Sequence, residues 1–174
     1  QEPDGYLFTY NQIHFPGTRW VNLQIEHELY CHGHLIEAGV SHYEASGKHE
    51  LLNIAIQAAN CITADFLGKS AHCTPGHEEI EIALLRLYKA VGNTSYLRMA
   101  EQFIHQRGRI PLFAREILTQ NASTEKRTRQ VRVQRQAYEQ AQAPIVKSIP
   151  PGNKAPKPWN SKLRWYAAAL SGKL

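Results

Sequence analysis

Two short stretches concentrate the side chains of this sequence that could do chemistry. They are His27-Glu28-Leu29-Tyr30-Cys31-His32-Gly33-His34-Leu35-Ile36-Glu37 and Pro75-Gly76-His77-Glu78-Glu79-Ile80-Glu81. Each sets imidazoles and carboxylates at the start of an apolar run with helical spacing. On a helix, His27, Cys31 and His34 lie near one face, while Glu28 and His32 share the neighbouring one. A cysteine with two histidines could ligate Zn²⁺, although position 31 is Cys where the H-E-x-x-H zinc pattern has His. The same residues are open to a plainer reading, with Cys31 as a small buried hydrophobe and the histidines hydrogen-bonded at a helix surface. In the second stretch Pro75-Gly76 ends a loop, which predicts His77, Glu78 and Glu79 in a first helical turn. Carboxylates there interact favourably with the helix dipole, by about 0.3–1 kcal/mol each, and that accounts for Glu78 and Glu79. A charged His77 gains nothing from such a position. It projects instead toward the open end of a hairpin, where a ligand could meet it.

The elements that must position these groups read as helices. Residues 1–20 form an irregular entry with turn signals at Asp4-Gly5 and Pro16-Gly17. From Arg19 the apolar spacing predicts a first helix, carried by Trp20, Leu23, Leu29, Leu35, Ile36 and Val40 and stopped at Ser46-Gly47. A second is predicted over Lys48–Phe66, a third from Gly76 to Ala90 and a fourth over Thr94–Gln106. Shifting the chain by 45 residues superposes Tyr43 on Tyr88, Gly47 on Gly92, Leu52 on Leu97, Ala55 on Ala100 and Gln57 on Gln102. The four helices are therefore two copies of one hairpin, with Leu52, Ala55, Leu97 and Ala100 expected as equivalent core positions. One hairpin cannot bury its own apolar face, so such repeats stack. The fold class expected is all-α, built of α/α-hairpin repeats. Two hairpins are fewer than an array needs, so the chain is expected to be part of a larger α/α assembly.

At 174 residues and 43% apolar content the chain can bury a real core. No run approaches the length of a membrane span and no signal-peptide pattern opens it; a start at Gln1 rather than Met suggests a processed or truncated product. Three cysteines without a C-x-x-C make no disulfide framework, so a reducing compartment, the cytoplasm, is expected. Charge divides the sequence. Residues 1–108 hold 7 Lys+Arg and 12 Asp+Glu, whereas residues 109–174 hold 13 and 3. The domain expectation follows, with 1–108 as the patterned helical part and 109–174 as a basic, Pro-containing tail. Glu125 to Gln142 could form a polar helix, Pro144–Pro158 an extended linker, and Trp159–Leu174 a last short helix. The run Lys126, Arg127, Arg129, Arg132 and Arg135 raises the alternative of a helical-repeat interaction module with a nucleic-acid- or protein-binding arm. Its scarcity of interleaved aromatics points to a solvated charge run instead, and nucleic acid is not the expected partner.

The motifs together resemble the catalytic domain of glycoside hydrolase family 127, the β-L-arabinofuranosidases. That family carries G-Y-L-x-T-Y, then R-W, then H-E-L-Y-C-x-G-H-L-x-E-A, then P-G-H-E-E-I-E-x-A-L. Here these are Gly5–Tyr10, Arg19-Trp20, His27–Ala38 and Pro75–Leu84, in the same order. The resemblance covers residues 5–108 and thins over 109–146, where Gln142 stands at the family's histidine in Y-x-Q-A-H-x-P-V. It implies part of an (α/α)6 toroid, and it implies that His34 and His77 contact an arabinofuranoside-type sugar. The nearby carboxylates of Glu28 or Glu78 are expected, on the chemistry of the residues alone, to fix their tautomers. The resemblance also implies a zinc-bound cysteine nucleophile and a glutamate acid/base in the full-length family member. None of Cys31, Cys61 and Cys73 lies in such a motif, so no catalytic or metal-binding residue is expected in this chain. The expected role is part of a sugar pocket without the reacting groups.

Overall fold

The computed structural model describes residues 1–110 and 113–147. Regular structure among them is helical throughout, without a strand. The helices are α1 (Thr9–His14), α2 (Glu28–Ser46), α3 (Glu50–Phe66), α4 (Ile80–Val91), α5 (Thr94–Gln106) and α6 (Phe113–Lys147), with a short 3-10 turn at Ala71–Cys73. None is long and apolar enough to cross a membrane. The chain divides into two compact units, Gln1–Arg129 and Gln130–Leu174.

In the first unit α2 pairs with α3 and α4 with α5. The two hairpins then pack through α2 against α4 and α3 against α5. The 45-residue repeat is visible at the turns. Gly47 and Gly92 both take the left-handed conformation, at φ 70° and 75°, and donate their N–H to Tyr43 O and Tyr88 O at 2.8 Å. A side chain at either position is strained, which is why glycine ends both helices. Asn93 then caps α5 by accepting the Ser95 N–H at 3.0 Å.

The core is one cluster of Ile36, Val40, Leu52, Ala55, Ile62, Ile80, Leu84, Leu87, Met99, Ala100 and Phe103 with their neighbours. Gly39 lets α2 approach α3, since a Cβ there would stand 2.7 Å from Ala55 Cβ. Leu52 is buried, as the repeat predicts, but Leu97 is only half-buried. In the second hairpin the buried residues of α5 are Tyr96, Met99, Ala100 and Phe103. Leu52→Ala should therefore destabilise by about 2–5 kcal/mol, and Leu97→Ala by clearly less. Denaturant melts with unchanged m-values check this, and equal losses at the two positions would contradict it.

Two helices start later than the apolar spacing predicts. α2 begins at Glu28, not Arg19, because Trp20 (φ 61°) and His27 (φ 27°) leave the right-handed region. The intervening segment is held by tertiary bonds, among them Trp20 Nε1–H to Asp65 at 2.7 Å and Gln24 Nε2–H to Thr74 O at 3.0 Å. α4 begins at Ile80, not near Gly76. Gly76 donates its N–H to Leu23 O at 2.9 Å and lies flat on the Gln24 backbone, where any Cβ would overlap the carbonyl. His77, Glu78 and Glu79 thus precede the helix, and the carboxylate in its first turn is Glu81. The entry segment contains α1, and Gly5 (φ 100°) packs on the Gln57 carbonyl.

α6 is longer than the predicted polar helix at both ends, and it continues through Pro144 to Lys147. Its first half docks on residues 22–26. Gln120 Oε1 accepts the Gln24 N–H at 3.1 Å, Asn121 Oδ1 accepts from Asn22 Nδ2 at 2.8 Å, and Arg127 pairs with Glu26. Arg127 is 5% exposed and stacks on Phe15, its guanidinium 4.3 Å from the ring centre, which withdraws it from any basic surface. The predicted linker from residue 148 and the predicted last helix lie outside the described residues.

Candidate functional site

The N-terminal ends of α2 and α4 come together, and with them the two chemically loaded stretches. Tyr30, on the first turn of α2, is the hub. Its ring centre is 4.4 Å from that of His34 and 5.9 Å from that of His77. His27 completes the group by stacking on His77 at 4.5 Å with an interplanar angle of 23°. His27, His34 and His77 are exposed while Tyr30 is half-buried. The structure thus gathers three imidazoles and a phenol on one accessible patch, and His34 and His77 share a neighbour. Gly33 makes this possible. A Cβ there would lie 2.7 Å from Glu79 Cγ and 3.2 Å from Ile80 N, so only glycine lets the start of α4 sit against α2.

The carboxylates fall differently from expectation. Glu28 is buried, and its oxygens accept from Tyr6 Oη at 2.5 Å and from the Trp20 N–H at 2.9 Å. Glu78 is 78% exposed and 3.8 Å from Arg107 Nη1. Among the described residues neither bonds to His34 or His77, and the carboxylate beside His34 is Glu79, its Oε1 3.2 Å from Nδ1. The sequence pattern could not show this, because it places Glu79 in a regular first turn.

His32, on the other face of α2, is fully buried. Its Nε2 accepts the Leu7 N–H at 3.2 Å, so Nδ1 carries the proton and donates to Glu28 O at 2.7 Å. Burial holds its pKa below the ordinary histidine value. Burial also pushes Glu28 up to about 7, although its bonds from Tyr6 and Trp20 pull the other way. Tyr6, Trp20, His32 and Phe66 pack ring on ring, with centres 5.1–5.4 Å apart. The Gly5–Tyr10 and Arg19-Trp20 motifs thus belong to the buried side of α2 rather than to its exposed histidine face.

A further residue escaped sequence reasoning. Arg107, just past α5, grips the His77 segment from below. Its Nε–H donates to Glu81 at 2.8 Å, Nη1–H to Pro75 O at 3.0 Å and Nη2–H to His77 O at 2.7 Å. Only its charge, in a helix end rich in other polar residues, was there to be noticed.

Among the described residues no group of three or more His, Cys, Asp and Glu side chains could hold an ion. Cys31 is exposed on α2, Cys61 is buried beside Arg19 and Asp65, and Cys73 ends the 3-10 turn. The residues present do not fit the zinc site that the resemblance implies.

An all-helical domain of paired hairpins thus gathers imidazoles where two helices begin. Comparison with known proteins makes the assignment definite. Residues 1–149 match the family model described as β-L-arabinofuranosidase, GH127 catalytic domain, and the chain belongs to that family. It is 37% identical over 119 residues to the non-reducing end β-L-arabinofuranosidase of Bifidobacterium longum subsp. longum, covering 65% of this chain and 18% of that protein. Among solved structures it resembles a family 127 β-L-arabinofuranosidase from Geobacillus stearothermophilus T6, with 43% identity, a TM-score of 0.64, and 72% of this chain and 20% of that chain covered. A second family 127 β-arabinofuranosidase gives 36% identity and a TM-score of 0.55, with 63% and 19% covered. The chain spans about a fifth of the length of these relatives.

Proposed function

We propose that this chain builds one part of the sugar pocket of a β-L-arabinofuranosidase-type glycoside hydrolase of carbohydrate metabolism. In this reading His34 and His77 hydrogen-bond to hydroxyls of an arabinofuranoside. The observation that carries it is the meeting of these two imidazoles, one from each motif, around the Tyr30 ring on an exposed patch. A neutral imidazole both donates and accepts, which suits a sugar hydroxyl, and a half-buried aromatic ring beside it offers an apolar surface to sugar C–H groups. Glu28 and Glu78 have supporting roles. Glu28 anchors the start of α2 to Tyr6 and Trp20, and Glu78 lies on the rim beside Arg107.

A retaining glycosidase needs a nucleophile and an acid/base carboxyl flanking one bond. On this reading both, together with the zinc of the full-length family member, come from the part of the family's length that this chain does not span. The three cysteines here are free, in keeping with a cytoplasmic setting. An aryl β-L-arabinofuranoside added to the purified chain should shift the ring resonances of His34 and His77 without release of the aryl group. His77→Ala should abolish the shift at His34's neighbour Tyr30 as well. Shifts confined to other residues, or turnover that survives cysteine substitution and repurification, would overturn the reading.

A further inference from the structure

Glu79 combines three features that sequence alone does not connect. Its backbone sits at φ 133°, ψ −50°, a region that side-chain-bearing residues rarely adopt. Its side chain is nonetheless drawn inward, 17% exposed, with Cγ against the surface that Gly33 leaves bare. Its Oε1 is buried and makes no hydrogen bond among the described residues; the ring nitrogen beside it is His34 Nδ1, 3.2 Å away. A buried carboxylate oxygen without a donor is costly, and a non-glycine residue persists in such a backbone region only where the surroundings over-determine it. Glycine would fit this backbone better. The side chain that stands there instead sets a carboxylate oxygen 3.2 Å from one ring nitrogen of a histidine in the candidate pocket.

We infer that Glu79 is a positioning residue that holds His34 as the Nδ1–H tautomer. With the carboxylate oxygen 3.2 Å from Nδ1, a proton is favoured on that nitrogen, which leaves Nε2, on the far side of the ring, as a hydrogen-bond acceptor for a ligand hydroxyl. The edge-to-face contact with Tyr30 at 88° limits rotation of the ring from the other side. His34 is thereby an acceptor at its outer nitrogen, and the ligand group it meets must be a donor. The inference deepens the sugar-pocket reading, since it assigns the polarity of one contact, but its test needs no sugar.

The test is a long-range ¹H–¹⁵N correlation spectrum of the imidazoles in the labelled full chain, at a pH where they are neutral. In the wild type, His34 should be Nδ1–H over Nε2–H by about tenfold or more, the factor expected for a hydrogen bond to a charged acceptor. Glu79→Gln keeps an acceptor oxygen and should keep the Nδ1–H form. Glu79→Ala should return His34 to the Nε2–H-rich mixture of free imidazole. Should the alanine variant fail to fold, Glu79→Gly removes the same carboxylate while suiting the backbone, and its His34 should change in the same way. A wild-type His34 that is mainly Nε2–H, or one unaltered in Glu79→Gly, would overturn the inference. Either result leaves the sugar titration of His34 and His77 to be decided separately, so failure of one is not failure of the other.

Discussion

Replacing Arg107 by alanine is expected to destabilise the chain by about 3 kcal/mol and to loosen the segment that carries His77. The reason is the carboxylate it leaves behind. Glu81 is 5% exposed, and its Oε1 accepts Nε–H at 2.8 Å and lies 2.6 Å from Nη2. Breaking a buried pair by removing one partner costs about 3–5 kcal/mol, because the survivor stays charged and desolvated. Arg107 is itself about a quarter exposed, at 23%, so the lower end of that range applies. Glu81→Gln added to Arg107→Ala should recover part of the loss, since a neutral amide needs less compensation. The second consequence is local. Arg107 also supplies the donors for Pro75 O and His77 O, and these carbonyls precede α4, where no helical N–H reaches them. Without Arg107 the backbone amides of residues 75–79 should exchange faster with solvent, and the His77 ring should lose its upfield shift from stacking on His27. Urea melts and amide exchange measure the two effects. A loss below about 0.5 kcal/mol, the size of an ordinary surface substitution, would show that the guanidinium is only a surface group.

The hairpin repeat is legible in the sequence because it is written in residues whose constraint is local. Gly47 and Gly92 are needed wherever a helix ends in the left-handed conformation, Tyr43 and Tyr88 stand at fixed distances before them, and Asn93 caps the helix that follows. The bounds of α5 and the end of α3 come out correctly for the same reason. The starts of α2 and α4 do not, because tertiary contacts set them. Trp20 and His27 are taken out of the helical region by bonds to Asp65 and Glu28 and by stacking on His77, none of which a 3.6-residue period registers. Gly76 reads as a helix start but is a contact glycine, pressed on the Gln24 backbone.

The candidate site is legible to a similar depth. His34 and His77 stand out as polar residues at the head of apolar helices, and both reach the exposed patch. Their carboxylate partner does not stand out. Periodicity puts Glu28 and His32 beside the functional face of α2, yet both are buried, because the entry segment around Tyr6 and Trp20 covers that side of the helix. Glu79 lies beside His34 only because Gly33 allows α4 to begin there. Arg107 acts through backbone carbonyls, and a sequence displays no carbonyl that has lost its helical partner.

The burial of Glu28 should make the chain less stable at alkaline pH than at mildly acidic pH, and Glu28→Gln should remove that dependence. Desolvation raises its pKa from 4.5 to about 7, with Glu26 adding to the rise and Arg127, Tyr6 and the Trp20 N–H opposing it. Below pH 4.5 the carboxyl is protonated in both states and contributes no slope. Between 4.5 and about 7 the folded chain keeps a proton that the unfolded chain has released, so stability falls as pH rises. Above 7 the loss is complete, and the interval corresponds to about 3 kcal/mol. His32 runs the other way. Its lowered pKa keeps it neutral in the fold, so its contribution is present above 6.5 and is lost as pH falls below it. Asp4 and Glu116, whose pKa values are lowered chiefly by hydrogen bonds from Arg19 and Gln120, likewise favour the fold at higher pH. Subtracting the variant from the wild type at each pH cancels these three and isolates Glu28. Glutamine suits the site, since its carbonyl accepts the Trp20 N–H while its amide donates to the Tyr6 oxygen, which can accept. Glu28→Gln should therefore match the wild type within about 1 kcal/mol near pH 4.5, where a neutral carboxyl and a neutral amide make comparable hydrogen bonds, and exceed it by about 3 kcal/mol at pH 8. A difference that stays constant between those pH values in urea melts would show that Glu28 titrates alike in the folded and unfolded chains, and that its burial among Tyr6, Trp20 and His32 carries no electrostatic cost.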